Sequence, residues 1–211
     1  YLRQLFFHQD RYQLSSQIDH LIRQSDLIEN ALWTIDRIAF ATLHIPGTNN
    51  GRKELPPGNE QVALDEADHR DHSNEKWLQL LFTKAEQAQA VVIAFHADIF
   101  EFDFSKPVCS SDNRTNCDGY RRIRDLLKRH VTLFRKPVLV IHGDTPAYCL
   151  HQPYHDIPNL WRLNAPGDYK YPDASEVTFD ANNSDTPFTV TNLLDRKPVP
   201  AVCDASMLGL P

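Results

Sequence analysis

Two apolar segments, VVIAFHAD (Val91 to Asp98) and VLVIHGD (Val138 to Asp144), each run without a charge and then end in a His-x-Asp triplet. Short runs of this kind, rich in β-branched residues, read as buried strands of a parallel sheet. In open α/β sheets the residues just past the carboxyl ends of the strands gather at one edge, where ligands and reacting groups bind. The pattern predicts that His96, Asp98, His142 and Asp144 share that edge. Such a mix of nitrogen and oxygen donors suits a divalent metal or general acid and base chemistry.

The surrounding segments support an α/β class. Ala31 to Ile35 and Arg37 to Ile45 read as strands, the second stopping at Pro46-Gly47. A helix from about Gln61 to Ala88, broken near His72-Ser73, sets Trp77, Leu78, Leu81, Phe82 and Ala85 on one stripe. Tyr120, Ile123, Leu127, Val131 and Phe134 form a second stripe, which Lys136-Pro137 ends. Helix, strand, helix, strand is the order of a parallel α/β layer. Leu2 to Phe7 and Gln17 to Ile28 read as helical, and Gly47 to Asn59 as loop. Leu160 to Asn164, Ser175 to Phe179 and Phe188 to Thr191 read as short strands. The expected organisation is one domain over residues 1–195 and an irregular tail over 196–211.

Charge and composition narrow the function. With a formal charge of -6 and no long basic run, electrostatic capture of nucleic acid or of an anionic membrane is not indicated. No apolar stretch approaches the roughly 20 residues of a membrane span. The segment GTNNGRKELPPGN has the wrong spacing for a P-loop, and neither Gly-x-Ser-x-Gly nor Gly-x-Gly-x-x-Gly occurs. The chain opens at Tyr1 inside what reads as a helix, so the expectation is a protein incomplete at its N-terminus.

Cys109 and Cys117 bracket the loop CSSDNRTNC, which holds the sequon Asn113-Arg114-Thr115; a second sequon is Asn182-Asn183-Ser184. A disulfide-closed loop in a secreted or periplasmic protein and a pair of free thiols with chance sequons are both open readings. Asn49 and Asn50, just past a strand, suit either the rim of a site or a turn. His44 can face core or site. His69 and His72 read as solvated, and His151 and His155, around Pro153, as loop residues with little claim to a ligand role.

The ordered series IAFATLHIPGTNN, EKWLQLLFTKA, QAVVIAFHAD and KPVLVIHGDT resembles the C-terminal half of calcineurin-like metallophosphoesterases, over roughly Leu2 to Asp180. The resemblance implies an α/β/β/α sandwich with two divalent metal ions of the Mn, Fe, Zn or Mg class at the sheet edge, acting on a small phosphorylated substrate. It assigns His96, a histidine closing an apolar strand, as a metal ligand. It places the family's Gly-His-x-His on Gly143-Asp144-Thr145-Pro146, making Asp144 a ligand through oxygen and leaving Pro146 without one. His142 is then ligand or proton donor to the leaving group, and Asn49, Asn50 and Asp98 are candidates for the substrate rim. The alternative is a non-catalytic extracytoplasmic binding or scaffold module derived from that fold.

Overall fold

The computed structural model describes Phe7 and residues 19–100, 105–145, 147–165 and 173–203. Seven strands form one mixed sheet in the order β1-β2-β3-β4-β5-β7-β6. They are β1 (Asp19–Arg23), β2 (Ala31–Ile35), β3 (Ile38–Thr42), β4 (Ala90–Ala94), β5 (Val138–His142), β6 (Cys149–His151) and β7 (Leu160–Asn164). The central four, β3, β4, β5 and β7, are parallel, and the flanking pairs are antiparallel. A separate hairpin joins β8 (Ser175–Phe179) to β9 (Phe188–Asn192).

The period of two along each strand divides the sheet between two partners. Val91, Ile93, Val138 and Val140 face helices α1 (Glu60–Lys84) and α2 (Arg121–Phe134), whose Trp77, Leu78, Leu81, Leu127 and Val131 are buried against them. Ala90, Leu139, Trp161 and Leu163 face the other way, onto Phe188 and Val190 of the hairpin. The described residues therefore form helices, sheet and hairpin in three layers. A central strand buried on both faces must be apolar throughout, which is why β4 and β5 carry unbroken runs rather than alternation.

Several elements differ from expectation. The spacing of Ile18, Leu21 and Ile22 favours a helix over Gln17 to Ile28; residues 19–23 are instead β1, laddered onto β2. Pairing with an existing sheet edge outweighs a weak helical pattern, and the turn between β1 and β2 is closed by Gln24 N–H to Asn30 O at 3.0 Å. Helix α1 runs unbroken through His72-Ser73. Ser73 and Asn74 are buried there because they are tethers: Ser73 Oγ donates to Asp26 Oδ2 at 2.6 Å, and Asn74 Nδ2 to His44 O at 2.9 Å. The helix expected over Leu2 to Phe7 lies outside the described residues, apart from Phe7.

Residues 197–203 are irregular but bound back to the sheet. Val199 N–H donates to Val190 O at 3.1 Å, Leu150 N–H to Pro200 O at 2.9 Å, and Cys203 is disulfide-bonded to Cys149 of β6. The second disulfide closes Cys109 to Cys117.

Candidate functional site

The loops after β3, β4 and β5 converge at the carboxyl edge. Gly143 N–H donates to His96 O at 3.1 Å, clipping the β4 and β5 loops together. His96 Nε2 then stands 3.4 Å from Asp144 Oδ1, with the imidazole 66% and the carboxylate 35% exposed. Asp144 has a left-handed backbone, φ 71°. Gly47, from the β3 loop, backs onto its carboxylate: a Cβ at that position would lie 2.8 Å from Asp144 Oδ2, so glycine is what allows the approach. Tyr120 donates from Oη to Pro46 O at 3.1 Å and fixes the same loop from below.

Under this exposed pair lies a buried polar layer. The Asp98 carboxylate is gripped by the Arg162 guanidinium (Nη2 to Oδ2, 2.5 Å) and accepts from Thr145 Oγ1 at 2.9 Å. Arg162 Nε also donates to His142 Nε2 at 2.8 Å. A guanidinium has only donors, so His142 Nε2 must be the bare nitrogen; Nδ1 carries the proton and donates to Gly143 O at 2.9 Å. Burial pushes the His142 pKa down from 6.5 to about 4, the nearby Asp98 carboxylate opposing and Arg162 reinforcing the shift. His142 is thus a neutral ring whose two nitrogens are both engaged. In this arrangement it offers a metal no lone pair. Asp98, expected at the rim, is likewise covered, and its carboxylate is already engaged.

Asn49 and Asn50 are also buried, 3% and 2% exposed. They belong to a single helical turn, Gly47–Gly51, in which Thr48, Asn49 and Asn50 have φ of 52°, 59° and 58° and Gly51 has 71°. A run of left-handed residues costs roughly 1–2 kcal/mol for each residue with a Cβ, and the side chains explain its persistence. Asn49 Nδ2 donates to Cys117 O at 3.0 Å while its Oδ1 accepts from Gly119 N–H at 2.8 Å. Asn50 Nδ2 donates to Asp71 Oδ1 at 2.5 Å, and Asn50 O accepts from Arg70 Nη2 at 2.8 Å. Arg52, 2% exposed, joins Asp71 and Asp68 beside them. These asparagines tie the β3 loop to α1 and to the cysteine loop. The loop expected over Gly47 to Asn59 therefore contains one ordered turn.

Sequence reasoning missed a further group at the sheet's far edge. Ligand atoms of Cys149, His151 and Cys203 lie within 4.8 Å of one another, a set that could hold a metal ion. The two sulfurs are joined in the disulfide. The Cys-x-His spacing on one strand face was visible at 149–151, but Pro153 drew that segment toward loop, and Cys203 is 54 residues from Cys149.

Comparison with protein-family models, with curated proteins and with solved structures returned no match. Two disulfides fit an oxidising environment. Among the described residues no helix is long and apolar enough to cross a membrane.

The edge can do simple chemistry. A metal bonded to nitrogen and oxygen at about 2.0–2.2 Å holds two ligand atoms roughly 3.0–3.5 Å apart, and the spacing of His96 Nε2 and Asp144 Oδ1 falls in that range. The exposed pair has a spacing that two ligands of one ion share, whereas in the buried layer below both His142 nitrogens and the Asp98 carboxylate are already engaged.

Proposed function

We propose that the chain supplies part of a metal-dependent phosphoester hydrolase of the calcineurin-like kind, with His96 and Asp144 as ligands at the carboxyl edge of its mixed sheet. The observation that carries this reading is the convergence of those two side chains, 3.4 Å apart and open to solvent, from the ends of successive parallel strands. The ions would be of the Mn, Fe, Zn or Mg class, two in an intact parent, and the substrate a small phosphorylated molecule. Bound metal would supply a nucleophile at neutral pH and offset charge on phosphate oxygens. The chain's own residues set the geometry: Gly47 admits the Asp144 carboxylate, the Gly143 amide orients the His96 loop, and the Arg162 network holds both loops from beneath. His142 acts here as a positioning residue. Two disulfides favour a secreted or periplasmic setting.

One feature favours the second reading, a non-catalytic binding or scaffold module. Arg162 provides an internal cation for Asp98 and His142, the buried carboxylate and imidazole of the same edge. Titration with Mn²⁺, monitored by electron paramagnetic resonance, separates the two. Binding that disappears in His96→Ala and in Asp144→Asn supports the metal site; a folded chain that takes up no Mn²⁺ favours the module. Little or no turnover of p-nitrophenyl phosphate is expected from this chain, whose visible ligand set is small. Robust turnover abolished by His96→Ala would overturn that expectation.

A further inference from the structure

We propose that Cys149, His151 and Cys203 form a redox-gated site for a zinc-class ion, a disulfide when oxidised and a Cys₂His metal site when reduced. Cys149 and His151 are two residues apart on β6 and so project from the same face of the strand. Cys203 is brought to them by residues 197–203, which pair with β9 through Val199 and with β6 through Pro200. The ligand atoms lie within 4.8 Å of one another, and the Cys149 and Cys203 Cα atoms are 5.0 Å apart. Ligands bonded to one zinc at 2.0–2.3 Å sit roughly 3.3–3.8 Å apart in a tetrahedron. Separating two sulfurs to that spacing is a matter of side-chain rotation, with no change of strand register.

The chemistry of the donors selects the ion. Thiolates and imidazole favour zinc over manganese or magnesium, which sets this group apart from the His96 and Asp144 pair. His151 is half-buried, and Arg162 Nη1 stands 3.4 Å from its Nε2, a long contact that metal binding through that nitrogen has to displace. The neutral imidazole is the ligating form. The redox step balances with a phosphine reductant: phosphine and water convert the disulfide to two thiols and phosphine oxide. Metal then displaces two thiol protons. Three protein ligands leave the fourth tetrahedral position to solvent. Either form ties residues 197–203 to β6, so metal would preserve after reduction the clamp that the disulfide provides before it.

Cobalt(II) is the probe. The protein is reduced with a water-soluble phosphine under argon and titrated while thiolate-to-cobalt charge-transfer and tetrahedral d–d absorption are recorded. About one equivalent should bind to the reduced protein and none at this site in the oxidised protein. Cys203→Ser and His151→Ala should each weaken binding by roughly tenfold or more. The Cys109→Ser/Cys117→Ser double variant and His96→Ala should leave it unchanged. A reduced, folded protein with no charge-transfer band overturns the proposal, as does a band indifferent to His151→Ala and Cys203→Ser. If reduction alone abolishes the near-ultraviolet circular dichroism, its recovery with one equivalent of zinc supports the site and its failure to recover overturns it.

Discussion

The guanidinium of Arg162, on β7, holds the carboxylate of Asp98, in the loop after β4, with both side chains shut off from solvent at 4% and 3% exposure. Arg162 simultaneously fixes the tautomer of His142 on the strand between them. One buried cation thus couples three strand ends, and the exposed His96 and Asp144 rest on loops that it steadies.

Breaking this pair should be costly, because the partner left behind is a buried charge without compensation. Arg162→Met is expected to lower stability by about 3–5 kcal/mol. Asp98→Asn in that background should recover part of the loss, since it removes the stranded charge. Urea denaturation of the two single variants and the double variant gives the coupling directly; strict additivity would show that the pair is energetically independent.

The His142 ring predicts a pH dependence. Its folded pKa, about 4, lies below the ordinary 6.5, so between those values the unfolded chain binds a proton that the native protein refuses. Stability contributed by the neutral ring is present above pH 6.5 and falls as pH drops from 6.5 toward 4, by an amount on the order of 3 kcal/mol. Asp71 acts with the opposite sign, because burial raises its pKa and the native state keeps a proton longer. Comparing urea midpoints of wild type and His142→Gln from pH 7.5 to pH 4 cancels that contribution. The difference between them should shrink toward acid; a constant difference would contradict the assignment.

The parallel core was legible because β4 and β5 are buried on both faces, and a doubly buried strand announces itself as an apolar run. Strand direction brings His96 and Asp144 to one edge, while the Gly143 to His96 bond and the absence of a Cβ at Gly47 set their final approach. What could not be read was the partner of each polar group. Arg162 lies in LWRLN, a segment whose strand character was visible, yet nothing local says that its guanidinium turns inward to Asp98, 64 residues earlier in the chain. Asn49 and Asn50 look like turn residues from sequence and are; their burial depends on Asp71, Cys117 and Gly119, which only the fold brings near. Strand β1 shows the converse, since its pairing comes from the edge of β2 rather than from its own pattern.

The left-handed turn separates backbone strain from side-chain tethering. Thr48 is exposed and has a β-branched side chain at φ 52°. Thr48→Gly removes roughly 1–2 kcal/mol of conformational strain and adds about 0.5–1 kcal/mol of unfolded-state entropy. A net gain of about 0.5–1 kcal/mol in thermal or urea stability is expected. Asn49→Gly also relieves φ but forfeits the bonds to Cys117 O and Gly119 N–H, so it should destabilise. Gly119→Ala should destabilise as well, its Cβ falling 2.5 Å from Asn49 O. Stabilisation by Asn49→Gly would mean that the asparagine bonds contribute little.

The two disulfides should differ in what they contribute. In the chain-entropy account a cross-link stabilises by restricting the unfolded chain, and the effect grows with the logarithm of the loop it closes. Cys149 and Cys203 are 54 residues apart and Cys109 and Cys117 only 8. Loops of those lengths correspond to roughly 4 and 2.5 kcal/mol. The longer link also covers the edge of β6, where Leu150 N–H is bonded to Pro200 O, so its loss frees a strand edge for pairing with other chains. The Cys149→Ser/Cys203→Ser variant should therefore unfold at lower urea than Cys109→Ser/Cys117→Ser, and its aggregation on warming should rise more steeply with protein concentration. Equal midpoints would point to residual structure in the unfolded chain that already holds residues 197–203 near β6.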